Sequence, residues 1–254
     1  MTDEQGMSIL EHLAELRTRL LRVIIALGLC TLLSFAFARP LLRFLIAPMG
    51  DNPPVALTPT EAIGTFMKVA LFAGVTLAMP VIVYQAMRFI TPGLTPQERR
   101  YLFVIVPGAT FSFVAGVTFA YFVMLPATVP FLQGFLSDIV RQQWAIGKYI
   151  SFVTAMIFWV GVSFETPLLI FFLAKLRIVS ARMLWRNFRY AIIAIAILAA
   201  VITPTPDAFT MALVMGPLIV LYLIGVVLAW IARRGEKSTH NAAKPQMTND
   251  QMTK

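Results

Sequence analysis

Charge is scarce in this chain. Asp, Glu, Lys and Arg make up 13% of its 254 residues, about half of the ~25% usual in a soluble domain. A globule of this size with so few charges would expose wide apolar areas and associate, which excludes a free soluble domain. Histidine is nearly absent as well. His12 and His240 are the only two, too few for a histidine-based metal or catalytic centre. The single cysteine, Cys30, can form no internal disulfide and says nothing about compartment. The motifs G-x-x-x-x-G-K-[ST], H-E-x-x-H and G-x-S-x-G are missing, so neither an enzyme nor a cofactor is expected. Long polar stretches are missing too, and no segment between apolar runs could hold a separate soluble domain.

Apolar residues are abundant. The AVILMFWYC fraction is 59%, above the ~45–50% of soluble domains even with Gly counted. Six apolar runs can be read: Leu20 to Ala38, Val69 to Ile90, Tyr101 to Leu125, Tyr149 to Ala174, Tyr190 to Ile202 and Ala208 to Trp230. All but the fifth are long enough to cross a hydrocarbon core of ~30 Å as helices. The fifth would be only ~20 Å long, which fits either a re-entrant segment or a span through a locally thinned bilayer; spanning is favoured. Thr203 to Asp207 (TPTPD) punctuates it, and the sixth run follows at once as a hairpin. The expectation is an all-α polytopic membrane protein with six transmembrane helices, the last two short. An amphipathic segment at 1–19 precedes the membrane domain at 20–230, and a polar, aperiodic tail at 231–254 is expected to be disordered. Ala36-Phe37-Ala38 imitates a signal-peptidase site, but the preceding segment is long and carries Asp3, Glu4, Glu11 and Glu15, so it is read as a retained span.

Lys and Arg outnumber Asp and Glu by 21 to 12, a net charge of +9. In a soluble chain that would suggest nucleic acid, but here the charges sit between apolar runs, as in loops facing anionic lipid. Placing both termini inside assigns sixteen of the 21 basic residues to the cytoplasmic side and leaves Arg39, Arg43, Lys68, Arg141 and Lys148 outside. This positive-inside asymmetry predicts an N-in, C-in topology. Ala70, Gly74 and Ala78 form one stripe of small residues and Gly108, Ser112, Gly116 and Ala120 another, read first as close helix packing.

Four groups of polar residues stand out. Ile9, Leu13, Leu16 and Leu20 give the N-terminal segment an apolar seam, with Glu11, Glu15 and Arg19 on another face; a solvated charged face is the default. Thr95, Pro96 and Glu98 form a capping box that opens the third span, although a carboxylate at the membrane surface could also receive a cationic ligand. Glu165 lies inside the fourth span, two residues before Pro167. An intramembrane acid is a functional candidate by default; the plain alternatives are a protonated carboxyl or one bonded to backbone freed near the proline. Asp207 starts the sixth span, where it fits a helix cap.

Taken in order, HLAELRTRL (His12 to Leu20), the LIAPMG segment with Pro48, PGLTPQERRY (Pro92 to Tyr101), FVAGVTFAYFVMLP (Phe113 to Pro126), SFETP (Ser163 to Pro167) and TPTPD resemble the TatC family of twin-arginine protein translocases. The resemblance covers nearly the whole chain apart from the tail and parts of the outer loops. It implies a multi-pass protein of the bacterial cytoplasmic (inner) membrane. Its implied function is that of a receptor for twin-arginine signal peptides of folded cargo, oligomeric in the receptor complex and driven by the proton-motive force. By the same resemblance the signal-binding acids fall on Glu15 and Glu98, with Arg17, Phe89 and Arg99 at matching positions. Glu165 matches the family's membrane-buried glutamate, while Pro48 and Pro167 match structural prolines. Single-helix translocase subunits would contact Thr203, Asp207, Thr210 and Met211, where related sequences can carry a polar residue at the Met211 position. Read from residues alone, the main rival is a proton-coupled small-molecule carrier that uses Glu165.

Overall fold

A computed structural model describes residues 9–50, 52–90, 102–139, 142–203 and 207–242. Among these, regular structure is entirely helical: α1 (Ile9–Ile46), α2 (Glu61–Ile90), α3 (Leu102–Phe119), α4 (Leu125–Gly134), α5 (Ile146–Ser163), α6 (Thr166–Lys175), α7 (Ala181–Arg186), α8 (Phe188–Ile202) and α9 (Ala208–Ala242). Five stretches are long and apolar enough to cross a membrane: Leu10–Met49, Glu61–Phe89, Ile105–Gly134, Ile146–Lys175 and Ala208–Ala232. The shorter apolar helix, α8, has 15 residues, or ~22 Å. Helices suit such runs because hydrocarbon offers backbone groups no partner outside the segment itself.

The ends of the helices correct the apolar-run reading. α1 is continuous across residue 19, so the amphipathic segment and the first span are one rod, and it continues past Arg39 and Pro40 to Ile46. The last helix is not short. Its apolar part has 25 residues, and the helix itself runs past Trp230 to Ala242, so the first part of the expected tail is helical. Runs of apolar residues stop at the first charges, whereas Lys, Arg and Glu are good helix formers and need not end a helix. The third apolar stretch likewise continues beyond Leu125. α3 passes through a wide π turn at Ala120–Met124 into α4. The extra residue in that turn eases the clash that the Pro126 ring would make with the carbonyl four residues earlier.

Small residues set the helix contacts. Ala70, Gly74 and Ala78 are buried, and a Cβ on Gly74 would lie 2.6 Å from Thr31 Cα, so α2 meets α1 backbone to backbone. Gly116 meets Gly161 in the same way, joining α3 to α5. The main core lies around α5, where Tyr149, Ile150, Val153, Met156 and Ile157 pack with Leu45, Val69 and Met124. At the end of the bundle where α1 stops, the connections are clamped. Val55 N–H donates to Trp144 O and Ile146 N–H donates to Val55 O, each over 2.9 Å. Glu61 accepts from the Leu57 and Gly147 amides over 2.7 and 2.8 Å. Tyr149 Oη donates to Leu45 O over 2.9 Å.

Candidate functional site

At the opposite end, where α1 begins and α2 stops, residues far apart in sequence meet. The His12 ring stacks on Phe89 with centroids 4.3 Å apart and planes 23° off parallel. One turn further along α1, Glu15 forms an ion pair with Arg19. Arg19 Nε donates to Glu15 Oε1 over 3.0 Å, and a terminal guanidinium nitrogen reaches the same oxygen. The i, i+4 spacing and the Glu-before-Arg order favour this pair on a helix, yet it is not a solvated pair of the usual kind. The Arg19 and Glu15 side chains are only 13% and 16% exposed. Glu15 Oε2 is buried without a hydrogen-bond partner among the described residues and stands 4.0 Å from His12 Nδ1.

The other residues expected at this end are placed differently or not described. Arg17 is exposed, and two residues beyond Glu15 it points to the other side of the helix, since successive side chains turn by ~100°. Glu98 and Arg99 lie outside the described residues, as do the capping box around them and most of TPTPD (204–206). His12 had no assigned part in the sequence reading. The signal available was its position one turn before Glu15 on the same helix, but its contact with Phe89 is tertiary and has no local pattern.

Within the membrane-crossing part, the fourth span is broken between α5 and α6. Pro167 sits in the first turn of α6, where its missing N–H costs nothing. The chain turns at Phe164 and Glu165, and Ser112 Oγ from α3 donates to Phe164 O over 2.6 Å. A hydroxyl from a neighbouring helix therefore serves the break. The Glu165 side chain makes no capping bond, and its Oε1 is buried without a hydrogen-bond partner among the described residues. The alternative in which Glu165 satisfies freed backbone is thus not what the geometry shows. Gln85 is another buried polar side chain, 8% exposed, with its Oε1 unbonded among the described residues, and sequence reasoning passed over it inside an apolar run.

At the other end Asp207 caps α9, its Oδ1 accepting from Thr210 N–H over 2.6 Å. Thr203 and Thr210 are buried. Thr203 Oγ1 donates to Ala199 O over 2.8 Å, and Met211 packs against the main core. A groove beside these residues is lined by Trp144, Lys148, Tyr149, Ile202, Asp207 and Phe209. Pro48 lies in a single 3-10 turn, Ala47–Met49, which ends α1 before Gly50 turns with φ +62°. Lys68, on the face of α2 toward α5, donates to Ser151 Oγ over 2.5 Å.

Comparison with known proteins covers most of this framework. Residues 11–217 match the sequence model of a family described as Sec-independent protein translocase protein (TatC). The chain is 42% identical over 231 residues to the Sec-independent protein translocase protein TatC of Deinococcus radiodurans, covering 88% of this chain and 86% of that one. It is 36% identical over 236 residues to the chloroplastic TATC protein of Pisum sativum, covering 92% and 67%. A crystal structure of the twin arginine translocase receptor TatC superposes with a TM-score of 0.80 at 34% identity, over 88% of this chain and all of that one.

Proposed function

The chain belongs to the TatC family of Sec-independent protein translocases, and from that premise we propose that it is the receptor subunit of a twin-arginine translocase, binding twin-arginine signal peptides of folded cargo at the end of the bundle where α1 begins. The family is one of transport proteins, so the small-molecule carrier reading is not favoured. In the proposed topology both termini are cytoplasmic, α8 spans as the fifth of six helices and α9 as the sixth, and the receptor end faces the cytoplasm of a bacterial cell. The basic residues counted in the sequence support that orientation.

One observation carries the reading: α1 and α2 bring Glu15, His12 and Phe89 together, and Phe89 is followed in sequence by the connection that contains Glu98 and Arg99. Guanidinium groups need planar, charged acceptors, and a half-buried carboxylate beside an aromatic ring offers both an ion pair and a stacking face. Exposed ion pairs contribute only ~0–1 kcal/mol each. Tight binding therefore also requires the apolar part of the signal to bury itself, at about 2.5 kcal/mol for each 100 Å² removed from water. Arg17, exposed on the other face of α1, would act away from the Glu15 carboxylate. Single-helix partner subunits would dock near Thr203, Asp207, Thr210 and Met211, and the proton-motive force would supply the energy of transport.

Photo-crosslinking tests the reading. A photoreactive residue at position 89 should capture a twin-arginine signal peptide and not its twin-lysine counterpart. Equal capture of both, or capture only from a position near Asp207, would remove the receptor site from this end of the bundle.

A further inference from the structure

We propose that the connection between α6 and α8 is a binding surface for an anionic phospholipid, with Arg182, Arg186 and Arg189 holding its phosphate headgroup and Trp185 seated at the bilayer surface beside them. Signal binding is not a premise here.

The sequence concentrates charge of one sign in this connection. No acid stands between Glu165 and Asp207, yet that stretch holds Lys175, Arg177, Arg182, Arg186 and Arg189. The connection has little room to leave the membrane surface, because apolar α6 ends at Lys175 and apolar α8 begins at Phe188. α6 closes in a tight turn, in which Ile178 N–H donates to Leu173 O over 3.0 Å and Arg177 N–H to Ala174 O over 3.2 Å. Arg177 has φ +61° there, a left-handed position that favours glycine. The turn thus carries a cation where glycine would suit the backbone better. Ser180 then caps α7, accepting from Met183 N–H over 3.2 Å.

α7 has two unlike faces. Ala181 and Leu184 pack against Ile170, Ala174, Ala229 and Ala232, and Tyr222 Oη from α9 donates to Leu184 O over 3.0 Å. Those contacts hold the helix to α6 and α9 and leave its other side outward. Arg182, Arg186 and Arg189 stand at i, i+4 and i+7 and are all exposed. None of the three forms an ion pair among the described residues. Trp185 is 64% exposed and stacks on Phe188 with centroids 6.0 Å apart.

Unpaired guanidinium groups beside an exposed indole match the chemistry of a lipid headgroup level. Guanidinium forks fit phosphate oxygens, and tryptophan favours the boundary where its apolar body is covered and its N–H stays wet. An acidic protein segment would satisfy the arginines but offer Trp185 no apolar cover, whereas a phospholipid supplies phosphate and hydrocarbon together. A zwitterionic lipid brings its own ammonium to a row of cations, so the row prefers a headgroup of net negative charge. Basic residues this close to a membrane act within the short range of its surface potential.

The test uses the purified full chain in detergent micelles, offered equal amounts of phosphatidylglycerol and phosphatidylcholine, with bound lipid counted by native mass spectrometry. The parent chain should prefer phosphatidylglycerol about five- to tenfold. Combining Arg182→Gln, Arg186→Gln and Arg189→Gln should bring that ratio to within about twofold of parity. A control that combines Arg233→Gln, Arg234→Gln and Lys237→Gln removes the same charge from α9 and should keep the parental ratio. Arg186→Gln alone serves if the first triple variant does not fold, and should lower the ratio about two- to threefold. No preference in the parent chain overturns the proposal. So does an equal loss in both triple variants, which would mean diffuse charge rather than a site. Displacement of bound phosphatidylglycerol by a micromolar glutamate-rich peptide would also overturn it and make the surface one for an acidic protein segment.

Discussion

Gly74 and Thr31 bring two long helices into backbone contact: a Cβ placed on Gly74 would stand 2.6 Å from Thr31 Cα and 2.8 Å from its nitrogen. Neither atom is the end of a flexible side chain, so an alanine there has to move α1 as a whole. Gly28 lies on α1 with no heavy atom within 4 Å of the same construction. Glycine-to-alanine exchange gains about 1 kcal/mol of helix propensity at either position, so the difference between the two isolates the clash. Gly74→Ala should be less stable than Gly28→Ala by about 1–3 kcal/mol in thermal unfolding of detergent-solubilised protein. Equal stability of the two variants would show that the crossing gives way freely.

The apolar runs and the small-residue stripe were legible because both are properties of residues close in sequence. Length and composition mark a span without any knowledge of its neighbours, and Ala70, Gly74 and Ala78 repeat at the spacing that places them on one face. Helix ends were not legible from apolarity. Pro40 and Arg43 lie inside α1, and Gly235 lies inside α9, although each reads locally as an interruption. The pairings that shape the candidate sites were invisible for another reason. His12 with Phe89, Ser112 with Phe164, and Glu61 with Gly147 each join different helices, and no local pattern encodes the packing that brings them together. Asp207 is the exception, because a helix cap is a local motif and its bond to Thr210 is local as well.

Glu15 and Glu98 can be tested as one acceptor. Glu15→Ala and Glu98→Gln should each weaken binding of a twin-arginine peptide while leaving membrane insertion intact. If the two acids grip the same pair of arginines, the double variant should lose less than the sum of the single losses, by about 0.5–3 kcal/mol. Peptide titrations of all four proteins measure this directly. Strict additivity would assign the acids to independent contacts, and an unaltered affinity in Glu98→Gln would remove Glu98 from the site.

Asp207 caps α9, and one pair of variants separates that role from the proposed contact with a partner subunit. Asn preserves the cap on the Thr210 amide, whereas Ala removes it at a cost of about 0.5–2 kcal/mol. Asp207→Ala should therefore lower thermal stability, and Asp207→Asn should not. If the charge also holds a single-helix partner subunit, Asp207→Asn should lose that partner in co-purification while remaining as stable as the parent chain. Full retention of the partner would restrict Asp207 to the cap.

Glu165 is placed where its neighbours have left it no backbone task. Ser112 already serves the Phe164 carbonyl at the break between α5 and α6, and Pro167 removes one amide from the turn that Glu165 precedes. A buried oxygen without a hydrogen-bond partner among the described residues, inside a membrane span, is costly, and a role in transport can be tested against a role in folding. If Glu165 lines a polar hollow, that hollow would draw in water or lipid headgroups and thin the bilayer beside the 15-residue α8. Glu165→Gln keeps the shape and loses the charge. It should bind signal peptides within about twofold of the parent chain, a difference of ~0.4 kcal/mol, yet slow cargo transport into membrane vesicles. Ser112→Ala provides the contrast: it should cost about 0.5–1.5 kcal/mol of stability and leave transport by the folded protein near normal. Wild-type transport by Glu165→Gln would sink the charged-hollow hypothesis, and a parallel loss of binding and transport would move Glu165 into the recognition step.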